Sequence, residues 1–233
     1  MFIGHFAVAM AARRAVPRIS LGWLFAACQL PDLIWPLLLL AGVERARIAP
    51  GDTALTPLAF DHYPWSHSLA MVALAGLALS GLHRLGNGAA RGAWMLAVLV
   101  ISHWVLDWIT HRPDLPLVPG AGPRLGLGLW NSVPATLIVE GLLFAAGAWI
   151  YSRATAARDR TGRWAWVSLV AFLVVVHAAN AFGPPPPSMT AVAIGGLAIW
   201  LLVLWGGWAD AHRAPTVVAL PRAPGNAEGA DVR

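Results

Sequence analysis

The chain reads as an all-α integral membrane protein, with about six transmembrane helices plus a short N-terminal helix. Three observations lead there: composition, the length of the apolar runs, and the distribution of arginine. Of 233 residues, 58% are hydrophobic and only 12% charged, with a mean hydropathy of +0.64. A water-soluble chain carries about 25% charged residues, so this one lacks the polar surface to coat itself. The same figures exclude a disordered chain, and a single cysteine, Cys28, excludes a disulfide scaffold. The sequence pI near 10.9 comes from 16 basic residues against 11 acidic ones. In a membrane chain such an excess reports topology, so no nucleic-acid partner is expected.

A transmembrane helix needs about 20 mostly apolar residues. The stretches 20–43, 66–83, 90–109, 130–151, 163–182 and 188–209 meet or approach that length. The first carries Pro31-Asp32, where the missing proline N–H kinks or splits the helix, and the second is short. Prolines 184–187 force a turn between the last two. The segment before Arg13-Arg14 is read as a retained short helix, re-entrant or interfacial. Residues 1–210 form one helical membrane domain, and 211–233, mixing Pro, Ala, Gly and charge, read as a disordered cytoplasmic tail.

Arginine then sets orientation. Arg13, Arg14, Arg18, Arg84, Arg91, Arg153, Arg158, Arg160, Arg163, Arg213, Arg222 and Arg233 fall on one side of a six-span bundle. The other side keeps Arg45, Arg47, Arg112 and Arg124 among Glu44, Asp52, Asp61 and Asp114. Cytoplasmic loops carry the excess, so the chain is expected in the cell inner membrane with both termini cytoplasmic.

Polar residues inside spans cost a few kcal/mol each and need a reason. His103 and Asp107, four apart, share one helix face and can chelate one Zn²⁺, Mn²⁺ or Fe²⁺ ion. His62 and His67 flank a proline-containing loop at the outer start of the second span, where they can supply further ligands. Asp32 joins if the kinked first span leans outward, and His5 only if its short helix dips into the bundle. Each has a plainer reading too: a helix-stabilising pair for His103–Asp107, an exposed loop histidine for His62, an N-cap for Asp61, an interfacial position for His5. Their convergence on one membrane face favours a shared polar site. Glu140, mid-way in the fourth span, is read as holding a ligand histidine or pairing between helices, and His177 as a helix–helix hydrogen-bonding residue. His111 is placed at the rim, and Ser66 and Ser68 are read as helix N-caps.

These residues resemble the YdjM-type membrane-bound metal-dependent hydrolases. That family's early histidine, Pro-Asp, His-Arg-Gly-x-Thr-His-Ser box and later His-x-x-x-Asp are matched by His5, Pro31-Asp32, the run His62 to Ser68, and His103 to Asp107. The order and the spacing inside the box match over roughly the first half of the chain. Leu33 stands where a second acidic residue often follows, Tyr63-Pro64 replaces Arg-Gly, and His111-Arg112-Pro113-Asp114 points to a divergent subgroup. The family's hydrolase label rests on a similarity to zinc-dependent phospholipase C. A weaker echo of phosphatidic-acid-type phosphatases in Pro64-Trp65-Ser66-His67 fails, because Ala97 stands where their arginine belongs and the chain has no lysine.

The resemblance implies a divalent metal, zinc first and manganese or iron next, held by His5, Asp32, His67, His103 and Asp107. His62 would be a further ligand or a catalytic general acid/base. The expected partners are the bilayer and a lipid or lipid-linked phosphoester substrate hydrolysed at the outer leaflet. The alternative is a non-enzymatic transporter, or an ion or proton relay, built on the same buried His/Asp set.

Overall fold

The computed structural model describes residues 1–216. Helix α1 (Ile3–Ala15) leads into α2 (Leu21–Cys28) and α3 (Leu30–Leu40), which are bent by 56° at their junction. Pro31 causes the break: it lacks the N–H that would continue the ladder, yet suits the first turn of a new helix. Strands β1 (Arg45–Ile48) and β2 (Leu58–His62) pair antiparallel, and the single turn α4 (Pro64–His67) follows. Next come α5 (Leu69–Leu85) and α6 (Ala90–Thr110). A two-residue pair, β3 (Leu115–Pro116) with β4 (Arg124–Leu125), precedes α7 (Val133–Ala154). Strand β5 (Thr155–Ala157), α8 (Arg160–Phe182), α9 (Met189–Leu197) and α10 (Ile199–Ala211) complete the bundle, and β6 (Arg213–Pro215) returns to pair with β5.

Four helical segments are long and apolar enough to cross a membrane: α6, α7, α8 and the α9–α10 run. Counting the bent α2–α3 pair as one span raises this to five. The expected count of about six is not reached, because α5 has 17 residues, about 25 Å of helix against about 30 Å of hydrocarbon. Leu142, Val175, Leu201 and Leu204 stand exposed on the outside of the bundle, the surface a bilayer would cover.

Small residues set the helix spacing, as in other membrane bundles. A Cβ on Gly147 of α7 would lie 2.4 Å from the Ala7 carbonyl oxygen of α1, so only glycine permits this contact. A Cβ on Gly22 of α2 would lie 2.9 Å from the Gly207 Cα and the Val203 carbonyl oxygen of α10, so glycine is needed there too.

Of the two readings of the N-terminal helix, re-entrant or interfacial, the packing disfavours the interfacial one and meets the condition set for His5: α1 packs on α7, α2, α6 and α8, with Phe6, Ala7, Ala9 and Met10 fully buried. It also runs opposite to α2. Met1 lies against Asp107 near the end of α6, whereas Arg13 pairs with Asp210 near the end of α10. The first residue and the end of α10 therefore lie at opposite ends of α1. The physical reason is direction: eight residues separate His5 from Arg13, about 12 Å of helix, enough to carry the chain from one polar layer to the other. Of the expected tail, residues 213–215 are strand, and 217–233 lie outside the described residues.

Candidate metal centre

Five of the six residues singled out in the sequence meet. His5 enters on the first turn of α1, Asp32 on the first turn of α3, His67 from α4, and His103 and Asp107 from α6. Asp107 lies between the imidazoles: its Oδ1 is 3.1 Å from His5 Nε2, and its Oδ2 is 3.1 Å from His103 Nε2 and 3.9 Å from His67 Nε2. Asp32 Oδ1 closes the ring, 3.4 Å from His67 Nε2 and 3.8 Å from His103 Nε2. The His5 and His103 rings stack with centroids 3.8 Å apart. Two overlapping groups, His5–His103–Asp107 and Asp32–His67–His103, each gather their ligand atoms within 4.8 Å.

The donor set fits a divalent metal. Atoms each about 2.1 Å from one ion sit about 3.0–3.4 Å from their neighbours in octahedral or tetrahedral arrangements, close to the separations here. His103 Nε2 is buried and makes no well-aligned hydrogen bond, and with its Nδ1 engaged elsewhere its lone pair stands 3.1 Å from the Asp107 carboxylate, an arrangement that a cation between the two would relieve. Its Nδ1 lies 2.8 Å from the carbonyl oxygen of Cys28, the last residue of α2. Helix-end carbonyls lack intrahelical partners, so the break before Pro31 supplies the acceptor that leaves the His103 Nε2 lone pair facing the cluster.

His67 is oriented by a relay not anticipated from the sequence. Its Nδ1 donates to Ser66 Oγ at 2.7 Å, and the Ser66 hydroxyl donates in turn to Glu44, which also accepts the Trp65 and Ser66 backbone N–H groups at 2.8 and 2.9 Å. Ser66 is thus a link and not a cap, while Ser68 does cap α5. Outer partners of this kind affect metal affinity by about 10–100-fold. Glu44→Gln is expected to weaken zinc binding by about tenfold in competition with a chromophoric chelator, and an unchanged affinity would show that the relay does not tune His67.

His62 stays outside. It ends β2 opposite Arg45, and the chain then turns at Tyr63-Pro64 into α4, so only the far end of the box reaches the cluster. Asp61 is exposed and pairs with Arg47 at 3.2 Å, capping nothing. Glu140 does not hold a ligand histidine: its Oε2 accepts the backbone N–H groups of Phe2 and Gly4 at 2.9 and 3.4 Å, neutralising the start of α1. His177 makes no helix–helix hydrogen bond through its buried Nε2.

His111, expected at the rim, is 3% exposed and forms one wall of a cavity of about 150 Å³ that reaches Asp32, His67 and Asp107. Its Nδ1 donates to Asp114 at 3.0 Å, where Tyr63 also donates at 2.7 Å and Arg112 at 3.2 Å. Two departures from the family pattern, Tyr63 and the His111–Asp114 segment, are therefore partners. Burial alone would raise the Asp114 carboxyl, but His111, Tyr63 and Arg112 outweigh it and hold it below the ordinary range. Burial, then the Asp114 charge, pushes the Tyr63 phenol well above its usual value, so it remains a donor.

A carboxyl lowered in the folded state stabilises above its unfolded pKa of about 4 and loses that contribution as pH falls through the folded value. Tryptophan fluorescence, to which Trp130 contributes with its ring tilted against His111 at a centroid distance of 4.3 Å, is expected to report this loop loosening below about pH 4. Asp114→Asn should flatten that acid limb, and an acid profile identical to wild type would contradict the assignment.

An inner bundle of apolar helices enclosing three imidazoles and two carboxylates defines a polytopic membrane protein with a candidate metal centre. The family model described as YdjM inner membrane protein matches residues 1–183, and the chain belongs to that inner-membrane family. The match takes in all five cluster residues together with Glu44, Glu140 and His177. No curated protein and no solved structure matches the chain.

Proposed function

We propose that the chain is a membrane-bound, metal-dependent hydrolase acting on ester bonds of lipids or lipid-linked phosphoesters. The observation that carries this reading is the convergence of His5, Asp32, His67, His103 and Asp107, with the His103 Nε2 lone pair facing the Asp107 carboxylate. These five would hold the ion, zinc by preference among N/O-binding metals, with manganese or iron fitting the same donors. When bound, the ion supplies an acidified water and a Lewis acid for the ester oxygen. The chain's own groups do the positioning: the Cys28 carbonyl and the Ser66–Glu44 relay hold two imidazoles with Nε2 inward. The acid–base role expected of His62 passes to His111, whose ring lines the small cavity with its Nδ1 bound to Asp114.

Arg13, Arg84, Arg153, Arg160, Arg163 and Arg213 support a cytoplasmic assignment for the opposite end, leaving the cluster toward the outer leaflet. The relay alternative finds less support. Among the described residues, Phe6, Met10, Leu24, Phe25 and Leu99 make the interior between the cluster and the Arg13–Asp210 layer apolar, with no file of polar groups.

The test is hydrolysis of a panel of lipid phosphodiesters and carboxyl esters by metal-loaded protein. Wild type is expected to turn over at least one class, and His67→Ala to lose at least about 100-fold, since even outer partners of ligands affect metal sites by 10–100-fold. Wild type that binds metal yet hydrolyses none of the panel would overturn the reading.

A further inference from the structure

Beside the cluster lies a second, larger cavity of about 680 Å³, which shares Asp32 and Trp35 with the small one. It is bounded by the loop 50–58, the turn at Pro184–Pro186 and the facing sides of α3, α7, α8 and α9. Three of its lining side chains carry a buried polar atom without a hydrogen-bond partner: Trp35 Nε1, Glu140 Oε1 and His177 Nε2. These residues are 8%, 1% and 8% exposed. Each orphaned group costs on the order of 1–3 kcal/mol when nothing pairs with it, and three on the residues that line one cavity would be satisfied together by a ligand toward which these side chains turn.

Their chemistry selects that ligand. Glu140 Oε1 needs a donor, Trp35 Nε1–H needs an acceptor, and the His177 nitrogen takes either. Charge narrows it further. Asp32 and Glu140 line the cavity, and among the described residues no lysine or arginine side chain does. The Met1 amino group is taken up by Asp107 and Thr110. Val176, Val192 and Ile199 add an apolar wall from α8, α9 and α10.

We infer that this cavity binds the head group of a zwitterionic lipid with a primary amine. The ammonium donates to Glu140 and to the His177 nitrogen, a phosphate oxygen accepts from Trp35 Nε1–H, and the hydrocarbon lies along α8 and α9. Because the cavity runs on to Asp32, the phosphodiester of such a lipid reaches the cluster. This inference rests on the proposed hydrolase for its purpose, but not for its binding chemistry, since Glu140, His177 and Trp35 are not metal ligands.

Native mass spectrometry of the full chain in detergent separates the two. The protein is offered equal amounts of phosphatidylethanolamine, phosphatidylcholine and phosphatidylglycerol with identical acyl chains. Adducts of the ethanolamine lipid should exceed those of the other two by about tenfold, the scale of one charged hydrogen bond. Glu140→Gln and His177→Ala, each checked for wild-type thermal unfolding, should bring the preference within about twofold. His103→Ala should keep it. Equal binding of the choline or glycerol lipid, or an unchanged preference in both cavity variants, overturns the inference. A wild type that keeps its amine preference but binds no metal would instead leave the inference standing and remove the hydrolase reading.

Discussion

Asp107→Ala is expected to abolish tight zinc binding, with a loss of at least about 100-fold in affinity, the upper end of what even a ligand's outer partners contribute. The size follows from position. Its two oxygens approach His5 and His103 at 3.1 Å each and His67 at 3.9 Å, so its removal takes away the one group that touches all three imidazoles. Asp32 approaches two of them at 3.4 and 3.8 Å, and its side chain is 26% accessible against 3% for Asp107. Asp32→Ala should therefore cost less, because water can take its place. Zinc competition titration of the two variants checks the order. An Asp107→Ala protein binding within about threefold of wild type would show that Asp107 is not a ligand.

The largest expected effect on stability lies at the opposite end of the bundle. Arg13 Nε donates to both oxygens of Asp210 at 3.1 Å, while Tyr151 and the Leu21 N–H donate to the same carboxylate at 2.7 and 3.2 Å. Arg13 and Asp210 are 6% and 5% exposed, so this is a desolvated pair. Removing one partner of such a pair costs about 3–5 kcal/mol, because the remaining charge stays buried. Asp210→Ala would also strand the Tyr151 hydroxyl and the first N–H of α2. Thermal unfolding in detergent should fall by roughly 10 °C. Asp210→Asn, which keeps the hydrogen-bond acceptor, should fall less. A shift below about 2 °C for the alanine variant would mean that water satisfies Arg13.

The cluster was legible in the sequence where local periodicity decides geometry. His103 and Asp107 are one helical turn apart, and that spacing fixes their common face. Pro31 announces the break between α2 and α3, and the break delivers both Asp32 and the Cys28 carbonyl. What local pattern cannot reveal is direction and long-range pairing. The arginines at positions 13, 14 and 18 say nothing about where α1 begins, so from the sequence His5 joins the cluster only on the condition that its short helix dips into the bundle.

Glu44 sits in a mixed-charge stretch with Arg45 and Arg47, which reads as solvated loop. Its burial beneath α4, 1% exposed, depends on the β1–β2 pairing folding back over it, a contact 22 residues away in sequence from Ser66. His62 lies in the matching box yet is drawn by strand pairing to the end of β2, opposite Arg45. Glu140 and His177 did carry a signal, the cost of a polar group inside a span. Only the packed structure shows that they line one cavity together with Trp35.

The central claim is that three imidazoles and two carboxylates hold one divalent ion. X-ray absorption at the metal edge of zinc-loaded protein tests it most directly. The account predicts one zinc per chain with only nitrogen and oxygen donors at about 2.0–2.2 Å and a multiple-scattering signature of two or three imidazoles, absent in the Asp107→Ala protein. Zinc with a sulfur donor at about 2.3 Å, or no bound metal after loading, would contradict it.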